Sequence, residues 1–560
     1  MKQIVECVPN FSEGRDLNII KQITNEIESV DGVKLLNVDP GKATNRTVVT
    51  FVGEPEPVIE AAYLAIKKAG ELIDMSKHKG EHPRMGATDV CPLIPVAGIT
   101  MDELVPYAEK LGKRVGEELN IPIYLYEHAQ KNKKRNNLSV IRSGEYENFD
   151  KKIVKEEWKP DFGAAKWNAK TGVTAIGVRD FLIAYNINLN TTSTRRANAI
   201  AFDVREAGRV KRKGDPLTGE IVKDENGNPV SIPGSLKAVK AIGWFIEEYG
   251  VAQISMNLTD IKVTPVHVAF DEVCERANER GLRVTGSELV GLVPLKAMLD
   301  AGKYFLEKQN RSTGISEREI VHIAIKSMGL DELGPFDPDK RIIEYMLKNE
   351  KDSVLINKTL EDFCNETASE SPAPGGGSVS AAVGAMGVAL GTMVANLSSH
   401  KRGWDDRWKE FSDVAEKGQH YKNLLLNAVD ADTNAFNKIM DAFSLPKNTD
   451  AEKTIRQKAI EDATIYAIKV PFSVMQYAFE SMQVMKEMVE IGNPNSVTDA
   501  GVGALCARTA VIGAHLNVLI NAADLKDNQE VQDILKAAEK IKENTIQLEQ
   551  EILAATLQKI

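Results

Sequence analysis

The stretch H-K-G-E-H-P-R-M-G-A-T-D, residues 78–89, lies between an apolar helix pattern and an apolar strand pattern. Gly80, Pro83 and Gly86 break helices and strands, so the backbone here is predicted to be a loop. Histidine, glutamate, arginine and aspartate side chains crowd into this loop, and so polar a segment contributes little to packing. Because loops held by a rigid scaffold often carry catalytic residues, we expect a proton-transfer residue here.

The patterns around this loop predict the order β-α-β-β-α-β. Before the loop, strands are expected at 3–8, 33–38 and 46–52, and helices at 57–73 and on a face formed by Leu17, Ile20, Ile23 and Ile27. After it, the pattern predicts a strand at 89–96, a helix at 102–119 and the strand I-P-I-Y-L-Y. This order is the split βαβ, ferredoxin-like arrangement, in which helices cover one face of a sheet.

A second set of patterns repeats the same order. Strands are expected at 181–190, 241–247, 251–258 and 282–288, and helices at 193–206 and 265–280. Between 209 and 234, the run D-E-N-G-N-P predicts an exposed hairpin or flap. The fold class is therefore α+β followed by all-α: two ferredoxin-like subdomains and a C-terminal helical bundle. The predicted boundaries are 1–180, 181–330, a linker at 331–355 around G-P-F-D-P-D-K, and 356–560.

Length and composition set further limits. The chain has 560 residues and a net charge of -10, which argues against general nucleic-acid binding because phosphate affinity needs a basic surface. Its five cysteines include no C-x-x-C pair, which suits reduced thiols. The start M-K-Q-I-V-E-C-V-P-N-F has neither the apolar core nor the cleavage site of a signal peptide, so we expect a cytoplasmic protein.

One segment is long enough to resemble a membrane span. Residues 371–400 contain no Asp, Glu, Lys or Arg, and Gly387 and Gly391 form a G-x-x-x-G. Alanine, glycine and serine dominate, however, and no Trp or Tyr marks either end. Small residues at this spacing let two helices approach closely, so we expect a buried, tightly packed soluble helix and no membrane partner.

His78, Glu81 and His82 match H-x-x-E-H, a zinc-protease motif. That motif needs a helix, which Gly80 and Pro83 disfavour, and no third ligand is evident. A zinc-dependent hydrolase is thus one alternative function. If no zinc is bound, each histidine has either a catalytic or a purely structural role.

Longer motifs carry a resemblance over nearly the whole chain. V-E-C-V-P-N-F-S-E-G, T-N-R-T-V-V-T-F-V-G, S-K-H-K-G-E-H-P-R-M-G-A-T-D and V-G-L-V-P-L-K-A-M-L-D are similar to formimidoyltransferases. S-P-A-P-G-G-G-S, V-D-A-D-T-N-A-F and L-P-K-N-T are similar to formimidoyltetrahydrofolate cyclodeaminases. The chain thus resembles the bifunctional formimidoyltransferase-cyclodeaminases. This resemblance implies transfer of a formimino group from N-formimino-L-glutamate to tetrahydrofolate, then cyclisation to 5,10-methenyltetrahydrofolate with release of ammonia. A folate-binding scaffold without turnover is a second alternative.

The resemblance also implies roles for residues of the transferase half. The histidine of G-E-H-P-R, His82, is implied as the catalytic acid and base, a role that suits its ordinary pKa. Asp39 or Asp89 would orient its imidazole, and Arg46 and Arg84 are candidates for binding substrate carboxylates. The implied folate-contacting stretch comprises Ala164, Ala165, Lys166, Trp167, Asn168, Ala169, Lys170, Thr171, Gly172 and Val173.

In the helical half, the turn Gly375, Gly376, Gly377 and Ser378 opens a helix and is a candidate anion site. The resemblance implies an aspartate of V-D-A-D as proton donor. We choose Asp432 over Asp430, because residues two apart on a helix do not face one pocket. The expected co-substrate is tetrahydrofolate, with or without a polyglutamate tail, and no metal is expected. The chain is expected to form a homo-oligomer.

Overall fold

The computed structural model describes residues 3–42, 44–80, 83–214, 219–347, 354–371 and 373–560. Glu81 and His82 therefore lie outside the described residues. The chain forms two compact units: Met1–Ala297 with Met328–Met346, and Met298–Ser327 with Leu347–Ile560. The predicted boundaries at 180, 330 and 355 stay predictions.

The first sheet of the first unit contains a ferredoxin-like core. The elements of this half are β1 (Ile4–Cys7), β2 (Asn10–Phe11), α1 (Leu17–Glu28), β3 (Val33–Gly41), β4 (Arg46–Gly53), α2 (Pro55–Leu72), β5 (Thr88–Ala97), α3 (Met101–Glu118), β6 (Ile123–Glu127), α4 (Leu138–Arg142), α5 (Glu145–Ile153) and β7 (Thr174–Val178). β1 and β2 lie between β4 and β5, and β3 pairs with β4, all antiparallel. This is the predicted split βαβ order.

Two features of this half differ from the sequence prediction. Leu17 was placed on the buried face of α1, but it is 61% exposed because it begins the helix, whereas Ile20, Ile23 and Ile27 are buried. The strand β7 was not predicted. It inserts between β5 and β6 and is parallel to both. All its residues are buried, so it lacks the alternation by which a half-exposed strand is recognised.

The second sheet repeats the topology. Its elements are β8 (Ile183–Leu189), α6 (Thr194–Val204), β11 (Val239–Ile246), β12 (Val251–Leu258), α7 (Val266–Asn278) and β13 (Val284–Val290). The short strands β9 (Arg209–Val210) and β10 (Ser231–Ile232) lie between α6 and β11 in the chain and form a separate small sheet. The antiparallel order β11-β12-β8-β13 is again ferredoxin-like. α6 packs on β11 and β12, and α7 packs on β8 and β13. Because α6 and α7 also contact each other, they cover the same face of the sheet, and neither covers the other face.

The predicted flap is a hairpin in which β9 pairs with β10. Its tip is a tight turn: the Gly227 N–H donates to Asp224 O at 3.0 Å, and Gly227 has a φ of +82°. Residues 215–218 of this segment lie outside the described part of the chain.

Helices make up the second unit. α8 (Leu295–Lys308) and α9 (Glu317–Met328) lie largely within it, and α10 (Pro338–Arg341) and α11 (Ile343–Leu347) close the first unit. The bundle itself comprises α12 (Leu360–Thr367), α13 (Gly376–Ser399), α14 (Trp408–Ser444), α15 (Asp450–Ile491), α16 (Val497–Asn521) and α17 (Gln529–Leu557). The prediction of two ferredoxin-like subdomains followed by a helical bundle is confirmed.

The apolar helix α13 packs against α14, α15 and α16. A Cβ on Gly387 would lie 2.7 Å from the Cys506 Cβ and 2.8 Å from the Gly503 carbonyl oxygen, so the glycine lets the backbones of α13 and α16 approach closely. Within the described residues, two helical segments are long and apolar enough to cross a membrane: Gly376–Ser399, 61% buried over its most apolar stretch, and Pro494–Asn521, 44% buried.

Candidate active sites

Three separate segments hold the histidine loop before β5. The Asn45 side chain donates to Lys79 O at 3.0 Å and accepts from the Gly14 N–H at 3.1 Å. The Ser12 hydroxyl donates to Gly86 O at 2.7 Å. A Cβ on Gly80 would lie 2.1 Å from Thr44 O, so only glycine fits there. The motifs that contain S-E-G, T-N-R and H-K-G are therefore brought together in space.

His78 is fully engaged by the protein. Arg84 Nε donates to His78 Nδ1 at 3.2 Å, and His78 Nε2 lies 2.8 Å from Asn45 O. An acceptor at Nδ1 requires the neutral tautomer with the proton on Nε2, and burial lowers the pKa of His78, with the Arg84 charge adding to the effect. Neither ring nitrogen is then available to zinc. Across the described residues, no group of three His, Cys, Asp or Glu side chains converges as a metal site.

Arg84, a predicted carboxylate-binding residue, is held by α5. Its NH1 and NH2 groups donate to the two Glu147 carboxylate oxygens at 2.9 and 2.6 Å, and its side chain is only 9% exposed. The pairing is the bidentate arrangement typical of arginine and carboxylate. Arg84 therefore clamps the loop to α5 and positions His78.

Asp89 and Arg46 have contrasting surroundings. Asp89 is fully buried and accepts hydrogen bonds from the Met85 N–H at 3.0 Å and from Arg142 at 2.6 Å. Both of its carboxylate oxygens are therefore hydrogen-bonded within the protein. Arg46 Nε is buried without a hydrogen-bond partner among the described residues. Burial lowers the pKa of Arg46 to about 10, although the charges of Asp89 and Asp39 oppose that change. Asp39 itself is exposed on β3, opposite Val48.

The predicted folate stretch, 164–173, docks on the histidine loop. Gly86 and Gly172 form an antiparallel bridge, and the Ala87 N–H donates to Thr171 O at 2.8 Å. Gly172 has a φ of +63°, and a Cβ there would lie 2.1 Å from Met85 O. Two glycines in contact thus bring together segments about 90 residues apart in sequence.

Within this stretch, exposure varies along the chain. Ala164, Ala165, Lys166, Ala169 and Lys170 are exposed, Trp167 and Asn168 are half-buried, and Thr171, Gly172 and Val173 are buried. The Trp167 ring packs against Tyr146, with 5.0 Å between centroids, and lies nearly parallel to Phe149 at 6.4 Å. One face of the indole thus already has aromatic neighbours from α5.

In the helical unit, the side chain of Asp432, a residue of α14, contacts the first turn of α13. Its Oδ2 accepts from the Ser378 N–H at 2.9 Å and from the Ser378 hydroxyl at 3.2 Å. A Cβ on Gly377 would lie 2.2 Å from Asp432 Oδ1, so glycine is required for the carboxyl to approach. Burial raises the pKa of Asp432, although the hydrogen bonds from Ser378 oppose that rise.

Asp430 faces another segment. Its oxygens accept from the N–H groups of Leu355 and Ile356 at 2.8 and 3.3 Å. Gly375 is the N-cap of α13 without a side-chain cap, and Gly376 approaches Asn517 of α16. The predicted anion site at this helix start therefore already contains a carboxylate of the protein, that of Asp432.

Three family models match successive parts of this chain. Family models match residues 4–179 (formiminotransferase domain, N-terminal subdomain), 184–348 (formiminotransferase domain) and 359–540 (formiminotransferase-cyclodeaminase). The chain is 42% identical to a formimidoyltransferase-cyclodeaminase of Mus musculus over 94% of each chain. It is 43% identical to that of Dictyostelium discoideum, over 99% of this chain and 98% of the other.

The chain belongs to the formimidoyltransferase-cyclodeaminase family. A glutamate formimidoyltransferase of Thermoplasma acidophilum is 42% identical over 57% of this chain and 98% of its own length. This relative therefore aligns along nearly its whole length with little more than half of this chain.

Sequence reasoning missed several residues that hold the family's histidine loop. Asn45 could have been found from the sequence, because it lies inside the T-N-R motif. Arg142 and Glu147 belong to the short helices α4 and α5. Those helices lie in a polar region with too little apolar periodicity to be predicted.

Proposed function

We propose that this chain transfers the formimino group of N-formimino-L-glutamate to tetrahydrofolate and then cyclises the product to 5,10-methenyltetrahydrofolate with release of ammonia. The observation that supports this proposal most strongly is the similarity to bifunctional relatives, which extends over 99% of this chain and 98% of the Dictyostelium protein. Both reactions belong to histidine breakdown and one-carbon folate metabolism. They form and break C–N bonds and need only proton transfer, so no metal is invoked.

For the first reaction, His82 is the proposed acid and base. N5 of tetrahydrofolate attacks the amidine carbon and must lose a proton, and the departing glutamate nitrogen must gain one. A single imidazole can perform both transfers in turn near neutral pH. The anchoring of its loop at Gly80, Arg84 and Gly86 supports this assignment, because a proton-transfer group must be held within hydrogen-bonding reach.

The substrates' carboxylates require cations. Of the two predicted arginines, Arg46 is the better candidate, because its Nε has no described partner whereas Arg84 is occupied by Glu147. The stretch 164–173 is the proposed folate contact, and its docking against the histidine loop supports that role.

For the second reaction, Asp432 is the proposed proton donor. N10 closes on the formimino carbon, and the amino group leaves as ammonia once it is protonated. A carboxyl whose pKa is raised by burial retains its proton closer to neutral pH and suits this role. Asp430 is the weaker candidate because both its oxygens bind backbone N–H groups.

Two single-site variants test the function. We expect His82→Ala to lower formimino transfer by about 10²–10⁴-fold with cyclodeaminase activity retained, and Asp432→Ala to do the converse. A wild-type chain that binds tetrahydrofolate without turning over either substrate would instead establish the scaffold alternative. Loss of transfer with a chelator, together with stoichiometric zinc, would establish the hydrolase-type metal site.

Self-association and location complete the proposal. Apolar side chains remain exposed along α13 (Met386, Met393, Leu397) and α16 (Leu516, Ile520). Such stripes on neighbouring helices suit packing against a second copy of the chain. Sedimentation analysis of the wild type and of Leu516→Lys would test this, with dissociation expected in the variant. A cytoplasmic location fits the sequence, whose five cysteines include no C-x-x-C pair, and would be tested by fractionation.

A further inference from the structure

Ser378, the third residue of α13, brings two hydrogen-bond donors to the Asp432 carboxyl. Its side chain is completely buried. The Ser378 N–H donates to Asp432 Oδ2 at 2.9 Å. The hydroxyl oxygen lies 2.9 Å from Val429 O and 3.2 Å from Asp432 Oδ2. A serine hydroxyl has a single proton, so these two acceptors compete for one donor.

The charge on Asp432 decides this competition. Val429 O is the closer acceptor, and a neutral carboxyl offers no stronger alternative. A hydrogen bond to an ionised oxygen is roughly twice as strong as one between neutral groups, so the hydroxyl should turn to Oδ2 once Asp432 loses its proton. Val429 and Asp432 are three residues apart on one face of α14. Rotation of the hydroxyl is therefore sufficient, and no backbone has to move.

The other carboxyl oxygen of Asp432 is open. Among the described residues, Oδ1 has no hydrogen-bond partner, and it lies against Gly377, where a Cβ would be 2.2 Å away. In a neutral carboxyl, the carbonyl oxygen accepts hydrogen bonds better than the hydroxyl oxygen does. Because Oδ2 accepts the Ser378 N–H, the proton of neutral Asp432 belongs on Oδ1.

Few other groups influence this carboxyl. Burial raises the pKa of Asp432, and only the two hydrogen bonds from Ser378 oppose that rise, with no contribution from a charged side chain of the described residues. Residues 376–399 of α13 include no charged side chain, Asn517 of α16 is neutral, and Asp430 bonds another segment. The positive end of the α13 dipole also favours the carboxylate that remains after proton donation.

We propose that Ser378 is a positioning residue for the proton donor of the cyclisation, because its hydroxyl follows the charge of Asp432. While Asp432 is protonated, the hydroxyl donates to Val429 O and the proton stays on Oδ1. As the proton leaves, the hydroxyl turns to Oδ2 and stabilises the new carboxylate. This inference rests on the proposed cyclisation and extends it to a second residue of the same site.

The proton and electron balance of the step is as follows. Once N10 has closed on the formimino carbon and its proton has moved to the formimino nitrogen, the adduct carries an amino group. The Asp432 Oδ1–H bond breaks, a new N–H bond forms on that amino group, and the C–N bond breaks with its electron pair leaving on ammonia. The folate product is the methenyl cation. Asp432, left as a carboxylate, takes a proton from water before the next turnover.

Ser378→Ala in the full-length chain removes the hydroxyl and keeps the backbone N–H. The carboxylate loses a hydrogen bond, so the pKa of Asp432 rises and the alkaline limb of kcat for ammonia release should move up by about one pH unit. A weaker acid also donates its proton more slowly, so kcat at neutral pH should fall by about three- to tenfold. A general packing defect would lower kcat at every pH and leave the limb in place. Ser378→Thr, which keeps a hydroxyl, should retain the wild-type limb.

Ser380→Ala is the matched control. Ser380 is also buried on α13, and its hydroxyl donates to Gly376 O at 2.7 Å rather than to Asp432. The same loss of a buried hydroxyl should therefore leave the alkaline limb at the wild-type pH. Formimino transfer should be unchanged in both alanine variants, because the histidine loop belongs to the other compact unit.

Thermal unfolding tests the hydroxyl without turnover. The bond that Ser378→Ala removes is stronger when Asp432 is ionised, so the variant should lose more stability relative to wild type at pH 8 than at pH 5. In an Asp432→Asn background no carboxyl titrates at this position. There, Ser378→Ala should lower the unfolding temperature equally at both pH values.

The outcomes separate this inference from the proposed function. An alkaline limb that stays in place or moves down in Ser378→Ala would overturn the role of Ser378, as would an equal shift in Ser380→Ala. A loss of stability that is the same at pH 5 and pH 8 would overturn it equally. Wild-type chain that releases no ammonia would instead refute the proposed cyclisation, and the unfolding comparison would still decide whether the hydroxyl follows the charge of Asp432.

Discussion

Replacing Gly172 by alanine tests whether contact between the histidine loop and the stretch 164–173 assembles the transferase site. Gly172 has a φ of +63°, and a left-handed conformation costs an L-residue about 1–2 kcal/mol. A Cβ would also lie 2.1 Å from Met85 O, and real contacts of this kind are essentially never below 3.0 Å. The loop must therefore withdraw by about 0.9 Å, and overpacking of this kind adds about 1–3 kcal/mol.

Gly281→Ala is the matched control. Its φ of +67° imposes the same backbone strain, but nothing lies within 4 Å of an added Cβ. We expect Gly172→Ala to lose about 2–5 kcal/mol of stability and the control about 1–2 kcal/mol. Since a displacement near 1 Å can cost about 10²-fold in rate, formimino transfer should fall by that factor only in Gly172→Ala.

The assay measures both activities of each variant, with calorimetric unfolding in parallel. Cyclodeaminase activity is the internal reference, because Asp432 lies in the other compact unit. If Gly172→Ala and Gly281→Ala have equal transfer rates and equal unfolding temperatures, the docking of the two segments does not organise the site and the reasoning is wrong.

Three further predictions concern Arg84, Asp432 and His78. Glu147→Gln leaves the buried Arg84 with Glu145, 3.5 Å away, as its one carboxylate partner among the described residues. Because Glu147 is 56% exposed, we expect a loss of about 1 kcal/mol of stability and about a fivefold slower transfer, against no change for Glu145→Gln, as measured by steady-state kinetics. Asp432→Asn removes the proposed proton, so cyclisation should fall by about 10²-fold or more while transfer is retained, as followed by ammonia release. Burial lowers the pKa of His78 below its ordinary 6.5, so the unfolded chain binds a proton at this histidine more readily than the folded chain does. The stability that neutral His78 contributes should therefore be complete above pH 6.5 and decline as the pH falls toward the lower pKa of the folded state. His78→Gln should reduce that decline in thermal unfolding scans from pH 8 to 5.

Periodicity alone was sufficient to predict both ferredoxin-like sheets and the change to a helical bundle. Half-buried strands and amphipathic helices bury every second residue or every third and fourth, and that signal is local. The motifs around His82 and Asp432, the proposed proton-transfer residues, are likewise short runs of sequence. The buried strand β7 was missed because both its faces are covered and no alternation remains.

Tertiary structure decided which of the candidate residues are available to a ligand. Arg84 and Arg46 are alike in sequence, but only the fold pairs Arg84 with Glu147, 63 residues away. Asp430 and Asp432 are two residues apart, and helix geometry directs one to Leu355 and the other to Ser378. Partners so distant in the chain leave no mark on local periodicity, because their pairing depends on how whole elements pack.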